Sequence, residues 1–366
     1  MTAQSEGDGS ARQEMEILEQ APLIIDSRKD AGLEGLVGGL DSVIISTEHH
    51  TFLGAAEEIL RYTGHECTEM YRDRFARTCK LSRGGSASVI LHNRTQGANP
   101  FSPFNTAPAA KKHRNTRLET FVFTTTDISS YVKIQRERGI RFLTQEPARL
   151  SDGLFIQTAP SRFTGNSLGF VEWHNDRHSF RPVQGVTDTM LPVKPPMKYL
   201  NGIGKLDHAA TRVRALERNA AILEFLLLTN YHYDFAVYVK SLNSITSVAR
   251  REPDDFAMVF TSGIEPDTGN AAAGPTEKFI LNYGTRVHHI AFRTEMIVKT
   301  VDALKADGLG FLLDLVGSPD DGLRQIFSVP SPHTMLVTEY IQRYGDFDGF
   351  FTKSNVEKLT KATEKQ

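Results

Sequence analysis

Glu339 is the residue most in need of a chemical explanation. In Thr334–Ile341 the side chains of Met335, Val337, Glu339 and Ile341 share one strand face, so a carboxylate stands on an otherwise apolar surface. Left unpaired there, its charge would cost several kcal/mol. An arginine or lysine would neutralise it, and so would a metal ion. Two histidines offer the second solution. Four segments of the chain begin alike, as Leu-Asp-Ser42, Leu-Glu-Thr120, Leu-Asp-His208 and Val-His-His289, and only the last two carry histidine at the third position. If equivalent strands meet about a pseudo-twofold axis, His208 and His289 converge on one cleft. Two imidazoles and one carboxylate form the donor set of facial non-heme Fe(II) centres, which leave positions open for a bidentate organic ligand and O2. Neighbours in a strand face opposite ways and His289 is the residue that matches His208, so His288 is set aside.

The elements that must position these residues come from an internal repeat. Leu323–Val329, the turn residues Pro330–His333 and Thr334–Ile341 predict the hairpin that carries Glu339. Leu118–Leu143 lies without a gap on Val287–Leu312, matching Phe123 to Phe292, Ile128 to Ile297, Val132 to Val301 and Gly139 to Gly308. Phe170–Trp173 matches Val337–Tyr340 in this reading, which makes Glu172 a structural remnant of Glu339. Leu40-Asp41-Ser42 and Leu206-Asp207-His208 open two further units, each a strand, a helix (Phe52–Thr63, Ala215–Leu228) and more strands, among them Ser244–Arg250 and Phe256–Thr261. The fold class is α+β, with four βαβββ modules. Residues 1–29 are expected to be a flexible tail, 30–185 a first domain without metal ligands, 186–202 a proline-rich linker, and 203–366 a catalytic domain. Lys353–Glu364 closes the chain as a helix, with Ser354 or Asn355 as its cap.

Composition limits the partners. A net charge of -2 leaves no electrostatic footprint for nucleic acid or an anionic membrane, so a small molecule is expected. Cys67 and Cys79 lack metal-finger spacing, and neither a leader nor a long apolar run is visible, so a soluble cytoplasmic protein is expected. His174 and His178 lack a surrounding helical pattern and are read as surface residues, while the glycines of Gly35–Leu40 precede a strand and form no phosphate loop.

At LDH, VHHIAF, LRQIF, LVTEYIQR and the terminal GFFTKSNVEKL, the chain resembles the 4-hydroxyphenylpyruvate dioxygenase and hydroxymandelate synthase family of the vicinal-oxygen-chelate superfamily. The resemblance implies two glyoxalase-like open-barrel domains with a C-terminal lid helix, and Fe(II) held by His208, His289 and Glu339. It puts substrate contacts at Ser244, Gln325, Phe327, Phe351 and Asn355, with Gln325 and Asn355 as the catalytic pair that orients the substrate. The chain departs from the family at Val356, where an aromatic would stack on the substrate ring, and at Ile264, where an amide would stand; His288 replaces a glutamine. The implied reaction is oxidative decarboxylation and hydroxylation of one 2-oxo acid by O2. On 4-hydroxyphenylpyruvate it would form homogentisate in tyrosine catabolism. The alternatives are another 2-oxo acid or a hydroxymandelate synthase-like outcome, and a ligand-binding vicinal-oxygen-chelate protein without catalysis. The first domain would serve as scaffold or oligomer contact, so a homo-oligomer is expected.

Overall fold

The computed structural model describes residues 8–266, 273–345, 347 and 349–365. The predicted tail is instead a helix over most of its length. α1 (Asp8–Asp30) buries Ile17 and Ala21, and Arg28 donates to the carbonyls of Leu226, Thr229 and Tyr231, so long-range packing orders a polar segment that local composition does not.

Four βαβββ modules follow. The first contains β1 (Val37–Ser46), α2 (Phe52–Tyr62), β2 (Glu66–Arg72), β3 (Ala76–Ser82) and β4 (Ser88–Arg94). The second contains β5 (Arg117–Thr125), α3 (Ile128–Glu137), β6 (Ala148–Arg149), β7 (Gly153–Gln157) and β8 (Ser167–Trp173). After the short β9 (Val186–Thr187) comes the third, with β10 (Ile203–Arg212), α4 (Arg218–Leu228), β11 (His232–Val239), β12 (Ser244–Arg250) and β13 (Ala257–Ser262). A helix absent from the sequence reading, α5 (Pro275–Tyr283), leads into the fourth: β14 (Arg286–Thr294), α6 (Ile297–Ala306), β15 (Val316–Ser318), β16 (Leu323–Phe327) and β17 (Val337–Arg343). α7 (Lys353–Ala362) is capped by Thr352, whose side chain accepts from the Asn355 N–H, two or three residues before the expected cap. Residues 264–275, whose Pro, Gly and Asn content leads one to expect a loop, lie partly outside the described residues.

Modules pair through their first strands. β1 lies antiparallel to β5 in a nine-stranded sheet, and β10 antiparallel to β14 in an eight-stranded one ordered β11-β12-β13-β10-β14-β17-β16-β15. Alternation along each strand then sorts the side chains. Ala209, Ile290 and Phe292 join the main core with the helices, whereas Ala210, Val248, Ala257 and Val259 line the concave face of the second sheet. The concave face of the first sheet is filled by Tyr71, Ile90, Val122, Leu150 and Phe180. No described helix is long and apolar enough to cross a membrane.

The register corrects one alignment. Ala291 pairs with Glu339 and its counterpart Val122 pairs with Gly169, so the position equivalent to Glu339 is Gly169 and not Glu172. Glu172 corresponds to Gln342. Its carboxylate accepts from the Ile128 N–H (2.8 Å) at the start of α3, as Gln342 accepts from Ile297 (2.8 Å) at the start of α6. Both satisfy an orphan helix N–H, which explains why the residue is polar without any metal.

His65 lies at the seam between the two sheets, edge-on to Phe292 (5.7 Å) and hydrogen-bonded to Thr63 and Ala87. Burial lowers its pKa from 6.5 to about 4. Folded and unfolded chains hold equal protons here above pH 6.5, but between 6.5 and about 4 only the unfolded chain protonates, so this stability is lost as pH falls through that window. The expected loss is about 3 kcal/mol. Urea unfolding from pH 7.5 to 4.5 should show a shallower pH slope in His65→Asn, and an identical slope in both proteins would refute the assignment.

Candidate metal centre

Three strands carry the cluster, and the register brings it together. His208 on β10 lies opposite Ala291 on β14, and Ala291 lies opposite Glu339 on β17. The small Ala291 leaves the space between strands open, so the side chains on either side reach across it. His289, two residues back on β14, points to the same face. The ligand atoms of His208, His289 and Glu339 lie within 4.8 Å of one another, and all three residues are buried. Glu339 Oε2 is 3.0 Å from His208 Nε2 and 3.3 Å from His289 Nε2. This set fits a divalent metal of the non-heme class, with two nitrogen donors and one oxygen converging from one side.

Bulges supply the supports. Leu206 and His208 pair with the adjacent Phe292 and Ala291, which makes Asp207 an extra residue on β10; Val287 and His289 pair with the adjacent Thr211 and Ala210, which makes His288 an extra residue on β14. The simple rule that neighbours face opposite ways therefore fails at both points. His208 donates from Nδ1 to Asp207 (2.8 Å), and His288 Nδ1 stands 2.8 Å from His289 Nδ1. His288 also lines the cavity, a correction to the parity argument, although His289 is the residue in the cluster. Met335, with φ of 63°, belongs to the turn and not to the strand face of Glu339.

Asp207 in turn accepts from Arg293 on β14 (2.6 Å) and Arg343 on β17 (2.7 and 3.1 Å), so one carboxylate ties the three ligand-bearing strands. Burial would raise its pKa, but the His208 hydrogen bond and Arg343 hold it well below the usual range. Burial would likewise lower His208, yet Glu339 and Asp207 outweigh it and bring the imidazole to about 9. His289 is pushed well down by burial, then by His288, His208 and Arg212, which keeps it in the neutral form that binds metal.

A second chain of hydrogen bonds fixes Glu339. Asn355 on α7 donates to Gln325 Oε1 (3.0 Å), and Gln325 donates to Glu339 Oε1 (2.6 Å), leaving Oε2 toward the histidines. Gln325→Leu should therefore weaken metal affinity about 10–100-fold with little loss of fold, a change read by metal titration. Unchanged affinity would mean that the bond does not position the carboxylate.

The cavity beside the cluster is narrow, about 50 Å3, and α7 covers it. Gln325, Phe327, Phe351 and Val356 line it, with the Phe327 ring 4.7 Å from that of His289 and the Phe351 ring 5.2 Å from that of His208. Asn355 stands behind Gln325. Ser244 shares the strand face of Thr246, which lines the cavity, but is one pleat beyond the lining. Ile264 is outside it as well, its N–H held by the Asn243 side chain (3.0 Å). Arg212, Thr246 and Thr261 are lining residues that the sequence reading missed. The comparison that singled out the histidines would also have flagged Arg212, whose counterpart in the first module is Ser46.

Solved structures share this architecture. A mutant of 4-hydroxymandelate synthase from Streptomyces coelicolor superposes with a TM-score of 0.67 at 17% identity, over 90% of this chain and 99% of that one. The chain has the vicinal-oxygen-chelate fold. A xylose isomerase-like TIM barrel/4-hydroxyphenylpyruvate dioxygenase fusion protein gives a TM-score of 0.63 at 15% identity, over 90% of this chain and 52% of the fusion. No protein-family model and no curated protein matches the sequence. Within the vicinal-oxygen-chelate fold, the second half carries His208, His289 and Glu339 on its concave face. The first half has Ser42, Thr120 and Gly169 at the corresponding positions.

Proposed function

We propose that the protein is an Fe(II)-dependent dioxygenase that oxidatively decarboxylates and hydroxylates a 2-oxo acid, with His208, His289 and Glu339 as metal ligands. The convergence of these three buried donors beside a cavity lined by α7 carries the reading. When bound, Fe(II) would supply chelation of the 2-oxo acid and activation of O2. The chain's own residues do the rest. Asp207 and Gln325 hold the ligands in register; Phe327 and Phe351 pack the substrate and exclude water; and α7 closes the site with Val356 against the substrate side chain. The second N–H of the Gln325 amide is available to the substrate, so Gln325 can serve both the ligand and the orientation of the acid, with Asn355 fixing its amide.

The architecture shared with the 4-hydroxyphenylpyruvate dioxygenase fusion favours 4-hydroxyphenylpyruvate as substrate. Val356 favours a different 2-oxo acid, since valine in the lining offers no stacking partner to a ring, a contact contributing roughly 0.5–1.5 kcal/mol. The test is O2 uptake and CO2 release by the Fe(II)-loaded protein with a panel of 2-oxo acids, including 4-hydroxyphenylpyruvate, phenylpyruvate and 4-methyl-2-oxopentanoate. Stoichiometric O2 consumption and CO2 release with any of them is expected. Tight ligand binding with no O2 uptake across the panel would replace this reading with that of a binding protein.

A further inference from the structure

Arg212 is a buried cation with no acidic partner among the described residues. Its contacts are the Phe279 ring, 4.4 Å from the guanidinium carbon, and the Pro275 carbonyl at 3.5 Å, which is long for a hydrogen bond. The other buried arginines make shorter hydrogen bonds. Arg28 donates to three carbonyls, Arg117 to two, Arg286 to Thr116 at 2.8 Å and Arg218 to Asn219 at 2.9 Å. Burial drives Arg212 down to about 9, the response of a charge that lacks a counter-charge among the described residues.

Its place in the sheet gives it neighbours of one kind. Arg212 on β10 pairs with Thr261 on β13, and Thr261 pairs with Thr246 on β12, so the three form a row across adjacent strands, all lining the cavity. The Thr261 hydroxyl is buried and without a hydrogen-bond partner among the described residues. The row is four residues along β10 from His208 on the same face, roughly 13 Å at strand rise. The first half provides an internal control. There the counterpart of Arg212 is Ser46, whereas Arg286 has a counterpart in Arg117, so Arg286 belongs to the shared framework and Arg212 to the half that holds the metal ligands.

We propose that Arg212, Thr261 and Thr246 form an anion subsite at the end of the cavity away from the metal ligands, and that the substrate is a 2-oxo acid with a second, distal carboxylate. This rests on the 2-oxo acid reading above. The metal end would hold the 2-oxo carboxylate, and the guanidinium, desolvated and aimed at a planar acceptor, would hold the other. Arg212 is then a specificity-determining residue.

The experiment is anaerobic calorimetric titration of the full-length Fe(II)-loaded protein with matched pairs: 2-oxoadipate against 2-oxohexanoate, and 2-oxoglutarate against 2-oxopentanoate, with 4-hydroxyphenylpyruvate alongside. One diacid should bind at least about 30-fold more tightly than its monoacid partner and than 4-hydroxyphenylpyruvate. Arg212→Gln should erase that ratio while keeping one iron per chain, and Arg212→Lys should restore part of it. Thr261→Val, which keeps the side-chain shape, should reduce the ratio several-fold and tests the subsite even if Arg212→Gln does not fold. Equal binding within both pairs, a ratio untouched by Arg212→Gln and Thr261→Val, or equally tight 4-hydroxyphenylpyruvate would overturn the subsite and leave the 2-oxo acid reading standing. No binding by any 2-oxo acid would overturn both.

Discussion

Alanine at His208, His289 or Glu339 is expected to abolish stoichiometric Fe(II) binding and all turnover, whereas His288→Ala is expected to keep one iron per chain. Each of the three supplies one donor atom to a cluster within 4.8 Å, and two remaining ligands do not hold a divalent ion against chelation by buffer. Loss of a direct ligand should exceed the 10–100-fold cost typical of losing an outer partner. His288 is not one of the three donors and its Nδ1 meets the centre at His289 Nδ1, so its removal should fall within that smaller range. Metal analysis after desalting, followed by competition with a chelating dye, separates the two classes. Should His288→Ala lose iron while His289→Ala retains it, the bulge on β14 would have been assigned to the wrong histidine.

Asp207→Ala should produce the largest loss of stability of any single change near the site, together with weakened iron binding. Removing the carboxylate leaves Arg293 and Arg343 without their buried counter-charge and His208 without its Nδ1 acceptor. Breaking a buried pair from one side costs about 3–5 kcal/mol, and the partial exposure of both guanidiniums puts the expectation near the lower end. Iron affinity should drop about 10–100-fold, because the His208 ring is no longer fixed. The first half again provides a control. Asp41 occupies the matching bulge but accepts from the Trp173 indole (2.8 Å), with no guanidinium bonded to it among the described residues, and burial raises its pKa. Asp41→Ala should therefore cost less and leave the metal untouched. Urea unfolding of the two variants with and without Fe(II) makes the comparison, and an Asp207→Ala protein no less stable than Asp41→Ala would rule out the strand-tying role.

The sequence carried these conclusions unevenly, and the repeat explains why. Because one module is written four times, a residue type that changes at a repeated position stands out, and His208 and His289 were legible on that ground. Glu339 was legible from strand alternation, as a carboxylate among Val337 and Ile341. The module order was legible too, since strand and helix periods recur at one offset from Leu118 and Val287. The same repeat misled where two local patterns competed. Phe170–Trp173 resembles Val337–Tyr340 by residue type, yet the ladder pairs Val122 with Gly169 and Ala291 with Glu339, and only hydrogen-bond register distinguishes the two alignments.

What the sequence by itself determined, then, is the architecture of four modules and the identity of three candidate ligands, because both depend on periodicity and on residue type at a repeated position. Tertiary structure alone decided how those ligands are held and what surrounds them. The bulges that turn Asp207 and His288 toward their neighbouring histidines arise from pairing with a distant strand, and no local pattern announces an extra residue in a ladder. α1 is ordered by carbonyls some two hundred residues away, which composition cannot register. Arg212 looks in the sequence like any charged residue near a strand end. The repeat marks it as different from Ser46, but its burial without a counter-charge among the described residues comes from the sheet and from α5, whose Phe279 ring covers it.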